Sequence, residues 1–295
     1  MGKKCVPAEL PEPEVIDLQA LSDALRDGSV DLVCVLGPTA SGKTRYAVSL
    51  ARTLGGEIIS ADSRQVYRGM DIGTGKDLAE YGEVPYHLID ILPAGAQYNV
   101  HSFQEDFFRA YRDIRSRGRV PILCGGTGLY INAVTAGYDF VEKKPLSARR
   151  ETDPEVSESG KRPLASCSWV HKSASGPLSE LSSTSGLPEA PRTFFIGTLV
   201  DRQTRNAKID ARLDARLREG MVEEIRGLLE SGVPKETLIS YGLEYKFVTQ
   251  YLIGELSFEQ MRESLAIAIH QFAKRQMTWF RGMERSGVRI HWTTV

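Results

Sequence analysis

Residues 37–44 read Gly-Pro-Thr-Ala-Ser-Gly-Lys-Thr, a complete G-x-x-x-x-G-K-[ST] pattern, and the residues at 32–36, Leu-Val-Cys-Val-Leu, are all apolar. Few architectures accept that order. A buried strand must deliver the chain to a glycine-rich turn, and a helix opening near Lys43 must point its free N–H groups back into that turn. The expected result is a cradle for a di- or triphosphate built from Gly37, Pro38, Thr39, Ala40, Ser41, Gly42, Lys43 and Thr44. Gly37 and Gly42 let the backbone curl closely, Lys43 can reach outer phosphate oxygens, and the Thr44 hydroxyl can sit on Mg²⁺. Loops of this kind are the nucleotide- and ATP-binding type.

Further short apolar runs follow at 57–60, 87–92, 120–124 and 194–200, separated by longer polar or periodic segments. Between two of them, Phe103, Phe107, Ala110, Tyr111 and Ile114 have helical spacing, and Gly118 is placed to end that helix. Strands alternating with helices predict an α/β fold, a parallel sheet with flanking helices. Residues 1–28, with Pro7, Pro11 and Pro13 and a short amphipathic piece at 18–25, read as an N-terminal extension. Residues 29–142 read as the phosphate-loop core. Over 143–191 the periodicity vanishes and ten serines fall between Ser157 and Ser185, the composition of a linker. Residues 192–295 read as the last core strand followed by a helical region. There Ile209, Leu213, Leu217, Met221, Ile225 and Leu228 form one stripe, interrupted at Gly220. Met261, Leu265, Ala268, Ile269, Phe272, Gln276 and Trp279 mark a second helix.

Net charge is −1, so the total announces no nucleic-acid partner, but its distribution is uneven. Lys274, Arg275, Arg281, Arg285 and Arg289 face only Glu284 within 274–289, a local basic surface of the kind that meets phosphates or simply solvates a helix. Helical geometry puts 274, 278 and 281 on one face and 275 about 100° from 274. That predicts Lys274 and Arg281 outward and Arg275 inward against an acid. The four cysteines, Cys5, Cys34, Cys124 and Cys167, show no metal-like spacing and no disulfide pattern, and no apolar stretch reaches the length of a membrane span. The expectation is a cytoplasmic monomer without membrane attachment.

Two further segments fall where strands of a parallel sheet end and ligands bind. Ser60-Ala61-Asp62-Ser63-Arg64-Gln65 follows the second run, and Asp62 there can bind a metal, act as a general base or merely cap a turn. Gly125-Gly126-Thr127-Gly128 follows the fourth. Its glycines can offer open backbone donors to an anion or a base, or Thr127 can serve only as a helix N-cap.

These motifs in this order, with Ala-Lys-Arg-Gln-Met-Thr-Trp-Phe-Arg at 273–281, Asp-Ile-Gly-Thr at 71–74 with Lys76, and Pro-Tyr-His-Leu-Ile-Asp at 85–90, resemble the tRNA dimethylallyltransferase family. The resemblance covers about 32–138 and 200–292. It implies a P-loop NTPase-like core with a C-terminal helical part. It also implies transfer of a dimethylallyl group from dimethylallyl diphosphate to N6 of the adenosine next to the anticodon in the tRNA anticodon stem-loop. Carried over by position, the loop at 37–44 holds the donor diphosphate, Lys43 and Mg²⁺ on Thr44 neutralise the leaving group, and Arg212 reaches the pyrophosphate. Asp62 becomes the general base, and Thr127 holds the flipped adenine. Asp62, Ser63, Arg64, Gln65, Thr127 and Arg149 become tRNA contacts, and the basic C-terminal helix is expected to add Lys274 and Arg281 from its outward face. Two features depart from the family pattern. The usual helical insertion is expected to be shortened to the Ser-rich stretch, and His270-Gln271 stands where Arg-Gln is the family form.

Two rival readings use the same loop. A nucleoside or nucleotide kinase would bind ATP there and needs lid arginines, of which 150–190 shows no clear set. A non-catalytic tRNA-binding paralogue accounts for the missing insertion, but it has no need to keep the set formed by 37–44, Asp62 and Thr127.

Overall fold

The computed structural model describes residues 10–136 and 189–295; Arg149, Cys5, Cys167 and most of the Ser-rich stretch lie outside the described residues. In chain order the elements are α1 (Leu18–Arg26), β1 (Leu32–Leu36), α2 (Lys43–Leu54), β2 (Gly56–Ser60), β3 (Tyr67–Arg68), β4 (Tyr86–His87), β5 (Leu92–Pro93), α3 (Val100–Ser116), β6 (Val120–Gly125) and α4 (Gly128–Thr135). Then come β7 (Thr193–Leu199), α5 (Arg202–Arg218), α6 (Met221–Glu230), α7 (Lys235–Ser240), α8 (Leu243–Leu252), α9 (Phe258–Arg285) and β8 (Ile290–Thr294).

Every residue of β1 is buried, as a strand covered on both faces requires. Leu32, Cys34 and Leu36 pack on one side with Phe103, Phe107 and Ile114 of α3, Ile131 and Val134 of α4, and Phe280 and Met283 of α9. Val33 and Val35 face the other side, against Ala47, Val48, Leu50 and Ala51 of α2 and Leu21 of α1. The main sheet is parallel, in the order β4-β2-β6-β1-β7-β8. A second apolar cluster joins α5 to α9 and includes Val66, Tyr67 and Met70 from beyond β2. Helix α9 belongs to both: Met261, Leu265, Ile269 and Ala273 lie in the helical cluster, whereas Phe280 and Met283 reach the sheet core.

Local signals explain most boundaries. Asn99 caps α3 by accepting from the Ser102 N–H at 3.0 Å, and Gly118 leaves it at φ +67°. Gly220, at φ +103°, separates α5 from α6, and Ser257 with Gln260 forms a capping box on α9.

Three expectations change. The run at 87–92 is not one strand. After Tyr86–His87 the chain passes through left-handed Leu88 and Asp90, and Leu92–Pro93 pairs with Tyr67–Arg68 in a separate two-stranded sheet. The cause is Lys76, whose fully buried ammonium is bonded by the Asp71 and Asp90 carboxylates and the Tyr67 carbonyl, which pulls Asp90 out of the sheet. The strand at 193–199 is not the last in the core: β8 adds an edge strand beside it, held by Trp292 Nε1 donating to Glu284 at 2.8 Å. Finally, the stretch read as an extension packs on the core, with the Glu14 N–H donating to the Trp292 carbonyl at 2.7 Å and Leu21 buried.

At the start of β2, away from the strand ends that carry the motifs, the buried Glu57 carboxylate is bonded by both Arg117 terminal nitrogens and by His87 at 2.8 Å. The Arg117 guanidinium holds its carboxyl down at about 2, against the opposing effect of burial and with help from His87. The folded value lies below the ordinary 4.5, so this stabilisation is complete above that pH and is lost as pH falls toward about 2. It is worth on the order of 2 kcal/mol, allowing for solvent around the half-exposed Arg117. Urea unfolding measured from pH 6 down to pH 2 should show that loss, and Glu57→Gln should flatten it.

Candidate functional site

The loop at 37–44 leaves β1 at the C-terminal edge of the sheet. Ala40 and Gly42 both take left-handed φ, +62° and +81°, which turns successive N–H groups inward as an anion-binding concavity does. Gly37 is needed for a different reason: a Cβ there would lie 2.2 Å from the Thr198 Oγ1. Ser41 is buried and shares a 2.6 Å hydrogen bond with that same Thr198 hydroxyl, which ties the loop to β7. Lys43 opens α2 and bends back across the loop, with its ammonium 3.4 Å from the Pro38 carbonyl. Burial lowers its pKa; Arg212 and Arg64 push the same way, and Cys124 and Asp62 oppose them.

Arg212 crosses from α5 and donates to the Thr39 hydroxyl. Its guanidinium is pulled down to about 10, chiefly by burial and then by Arg216. Both arginines line a small pocket with Ile209, Leu213, Glu244 and Ile269. Sequence spacing alone did not bring out Arg216, Glu244 or Thr198, because their partners lie on elements far away in the chain.

Asp62 follows β2. Its Oδ1 accepts the Arg64 N–H at 3.0 Å and lies 3.6 Å from Arg64 Nε, which leaves Oδ2 without a hydrogen bond among the described residues. Arg64 extends to the buried Glu244 of α8, where Nη1 meets Oε2 at 2.5 Å. The Gln65 side chain bridges the Ser60 hydroxyl and the Gly75 carbonyl. Two of the expected RNA contacts, Arg64 and Gln65, thus have internal partners in this structure, and Ser63 is partly exposed.

Thr127 stands at the N-cap position of α4 but makes no side-chain cap bond. Instead its hydroxyl accepts from the Ser63 N–H at 3.5 Å, and its own N–H donates to the Ala61 carbonyl at 3.3 Å. Gly125 and Gly126 also permit close approach of neighbouring groups. A Cβ on Gly125 would lie 2.4 Å from the Ala61 carbonyl oxygen, and one on Gly126 would lie 2.3 Å from Gln276 Nε2. Gln276, read from its spacing as part of a core stripe, reaches both loops. It accepts from the Thr39 N–H at 2.8 Å and donates to the Gly126 carbonyl at 2.9 Å. A signal existed in the sequence: it is the polar residue in a seam otherwise formed by Met261, Leu265, Ile269, Ala273, Phe280 and Met283.

The arrangement of basic residues on α9 also differs from expectation. Lys274 is exposed, but so is Arg275, with its guanidinium 5.9 Å from the centre of the Phe272 ring. Arg281 is partly buried and pairs with Glu284 at 3.0 Å. Arg281 meets Glu284 one turn further along the same helix, and Arg275 lies off the buried seam that passes through Gln276 and Phe280. Trp279 is exposed on the shoulder facing Gly128, where a Cβ would lie 2.2 Å from its indole.

Among the described residues no group of three or more His, Cys, Asp or Glu side chains could cage a metal ion. Thr44, in the first turn of α2, suits Mg²⁺ bound chiefly through substrate phosphates and water, a habit of that ion. No helix among the described residues is long and apolar enough to cross a membrane.

A family model described as IPP transferase matches residues 65–175 and 162–283, and one described as isopentenyl transferase matches 30–83. The chain is 51% identical over 283 residues to tRNA dimethylallyltransferase 1 of Parabacteroides distasonis, covering 90% of this chain and 92% of that protein. It is 50% identical to tRNA dimethylallyltransferase 1 of Porphyromonas gingivalis, over 88% and 93% of the two chains. Among solved structures, the tRNA isopentenylpyrophosphate transferase of Bacillus halodurans superposes with a TM-score of 0.68 at 30% identity, over 90% of this chain and 89% of that one.

Proposed function

We propose, from the premise that the chain belongs to the IPP transferase family of tRNA dimethylallyltransferases, that it moves a dimethylallyl group from its diphosphate to N6 of the adenosine 3′ to the anticodon. One observation carries the reading. The loop at 37–44, the Gly126–Thr127 turn and Asp62 leave the C-terminal ends of three neighbouring strands, β1, β6 and β2, with β6 in the middle.

In that arrangement the donor diphosphate lies over the first turn of α2, where the N–H groups, Lys43 and Arg212 take up negative charge. As the allylic carbon–oxygen bond breaks, charge builds on the departing diphosphate, and this is where the cations act. N6 bonds to the carbon, the N6 proton passes to Asp62 Oδ2, and pyrophosphate leaves. Thr44 would hold Mg²⁺, which would supply Lewis-acid stabilisation of the same leaving group. The adenine must be out of the loop stack to present N6, and Thr127 is the residue assigned to hold it. On this reading the protein works as a cytosolic monomer. Mass spectrometry of nucleosides from tRNA incubated with the protein, Mg²⁺ and dimethylallyl diphosphate tests the reaction. Dimethylallyl adenosine should form, and its absence overturns the reading.

The RNA side is proposed to include α9 through the exposed Lys274 and Arg275, in place of the Lys274 and Arg281 pair. Replacing both by Ala should flatten the salt dependence of anticodon stem-loop binding by about 1–2 units of slope and leave donor binding unchanged. Arg281→Ala should change that slope little. Fluorescence anisotropy across a salt series measures both.

A further inference from the structure

Gln276 sits at a position of the α9 seam that packing alone would fill with an apolar side chain, and it is only 7% exposed. A buried amide is costly unless its bonds are made, and both are made to distant turns rather than within its own helix. The Thr39 N–H can only donate and the Gly126 carbonyl can only accept, so the amide has one chemically allowed orientation. Gly126 has no Cβ to obstruct it. From Gly126 the connection continues: the Thr127 N–H bonds the Ala61 carbonyl and the Ser63 N–H bonds the Thr127 hydroxyl, and these residues bracket Asp62. A continuous hydrogen-bonded path therefore runs from the donor loop through Gln276 to the segment that carries the general base.

We infer that Gln276 is a positioning residue that sets the spacing between the donor loop and the Thr127–Asp62 side of the site. The inference rests on the prenyl-transfer reading above. The reacting nitrogen and carbon must approach within near-attack distance, and an error of about 1 Å costs on the order of 10²-fold in rate. Gln276 itself touches neither reactant. Its loss should therefore reduce kcat while the affinity for RNA stays.

The test is steady-state prenyl transfer to an anticodon stem-loop by the full chain, alongside RNA affinity and thermal unfolding. Gln276→Met keeps size and removes both bonds. It should lower kcat by about 10–100-fold with RNA affinity within about two-fold of the parent. Gln276→Glu gives a sharper reading. As a carboxylate it keeps only the bond from Thr39, but once protonated its O–H can donate to the Gly126 carbonyl while its C=O accepts from Thr39. Its kcat relative to the parent should rise as pH falls, a behaviour that a merely structural side chain would not produce. If Gln276→Met does not fold, this pH profile decides. A Gln276→Met enzyme with parental kcat, or a Gln276→Glu ratio flat with pH, overturns the inference alone. A parent chain that leaves the RNA unprenylated overturns the functional reading and this inference with it.

Discussion

Asp62→Asn is expected to lower the rate of prenyl transfer by about 10²–10⁴-fold, the usual contribution of a general base, with donor affinity nearly unchanged. The substitution is a clean probe because the two oxygens of Asp62 have different roles. Oδ1 accepts the Arg64 N–H, and an Asn oxygen can take over that bond, so the turn survives. Oδ2 has no hydrogen bond among the described residues, and an amide nitrogen in its place cannot accept a proton. Single-turnover transfer measures the rate, and titration with dimethylallyl diphosphate measures the affinity. An Asn variant with most of the parental rate would reduce Asp62 to a turn cap.

Lys43→Ala is expected to lower kcat/KM by about 10²–10³-fold, because the ammonium meets charge that grows as the diphosphate departs. It should also abolish any preference for dimethylallyl diphosphate over ATP. The protonated form is the one that acts, and burial lowers its pKa below the ordinary 10.5. The alkaline decline of kcat/KM should therefore come at lower pH than an unperturbed lysine would give, and Lys43→Ala should remove that decline. Tight ATP binding by the parent, with phosphate transfer to a nucleoside, would instead place the chain among kinases.

Local patterns in the chain were enough for the regular elements whose reasons are local. The strands at 32–36, 120–125 and 193–199 announce themselves as apolar runs, and α3, α5 and α9 as periodic stripes, with Gly118 and Gly220 closing the first two. The segment at 87–92 misled because hydrophobicity along the chain carries no information about Lys76, a buried cation whose demand for carboxylates bends Asp90 out of line. Strand β8 was hidden for a similar reason: Ile290 and Trp292 are buried by β7, α9 and the chain around Glu14, and no neighbour in sequence reports it.

What the sequence determined by itself was the set of candidate groups. The loop at 37–44 states its chemistry within eight residues, as a phosphate cradle, whereas the motifs around Asp62 and Thr127 left a turn cap or helix cap equally open, and their roles came from the family resemblance. Their assembly was decided by tertiary structure alone. Parallel strands separated in the chain acquire an order only when the sheet closes, and here that order places β6 between β1 and β2. The same closure brings Arg212 from α5 and Gln276 from α9 onto Thr39, and Arg64 onto Glu244. Arg275 is left exposed, and Arg281 pairs one turn along its own helix with Glu284, against the outward and inward assignment made from the sequence. Side-chain periodicity depends on local backbone geometry, whereas the partner of a buried polar group depends on which distant segment packs against it.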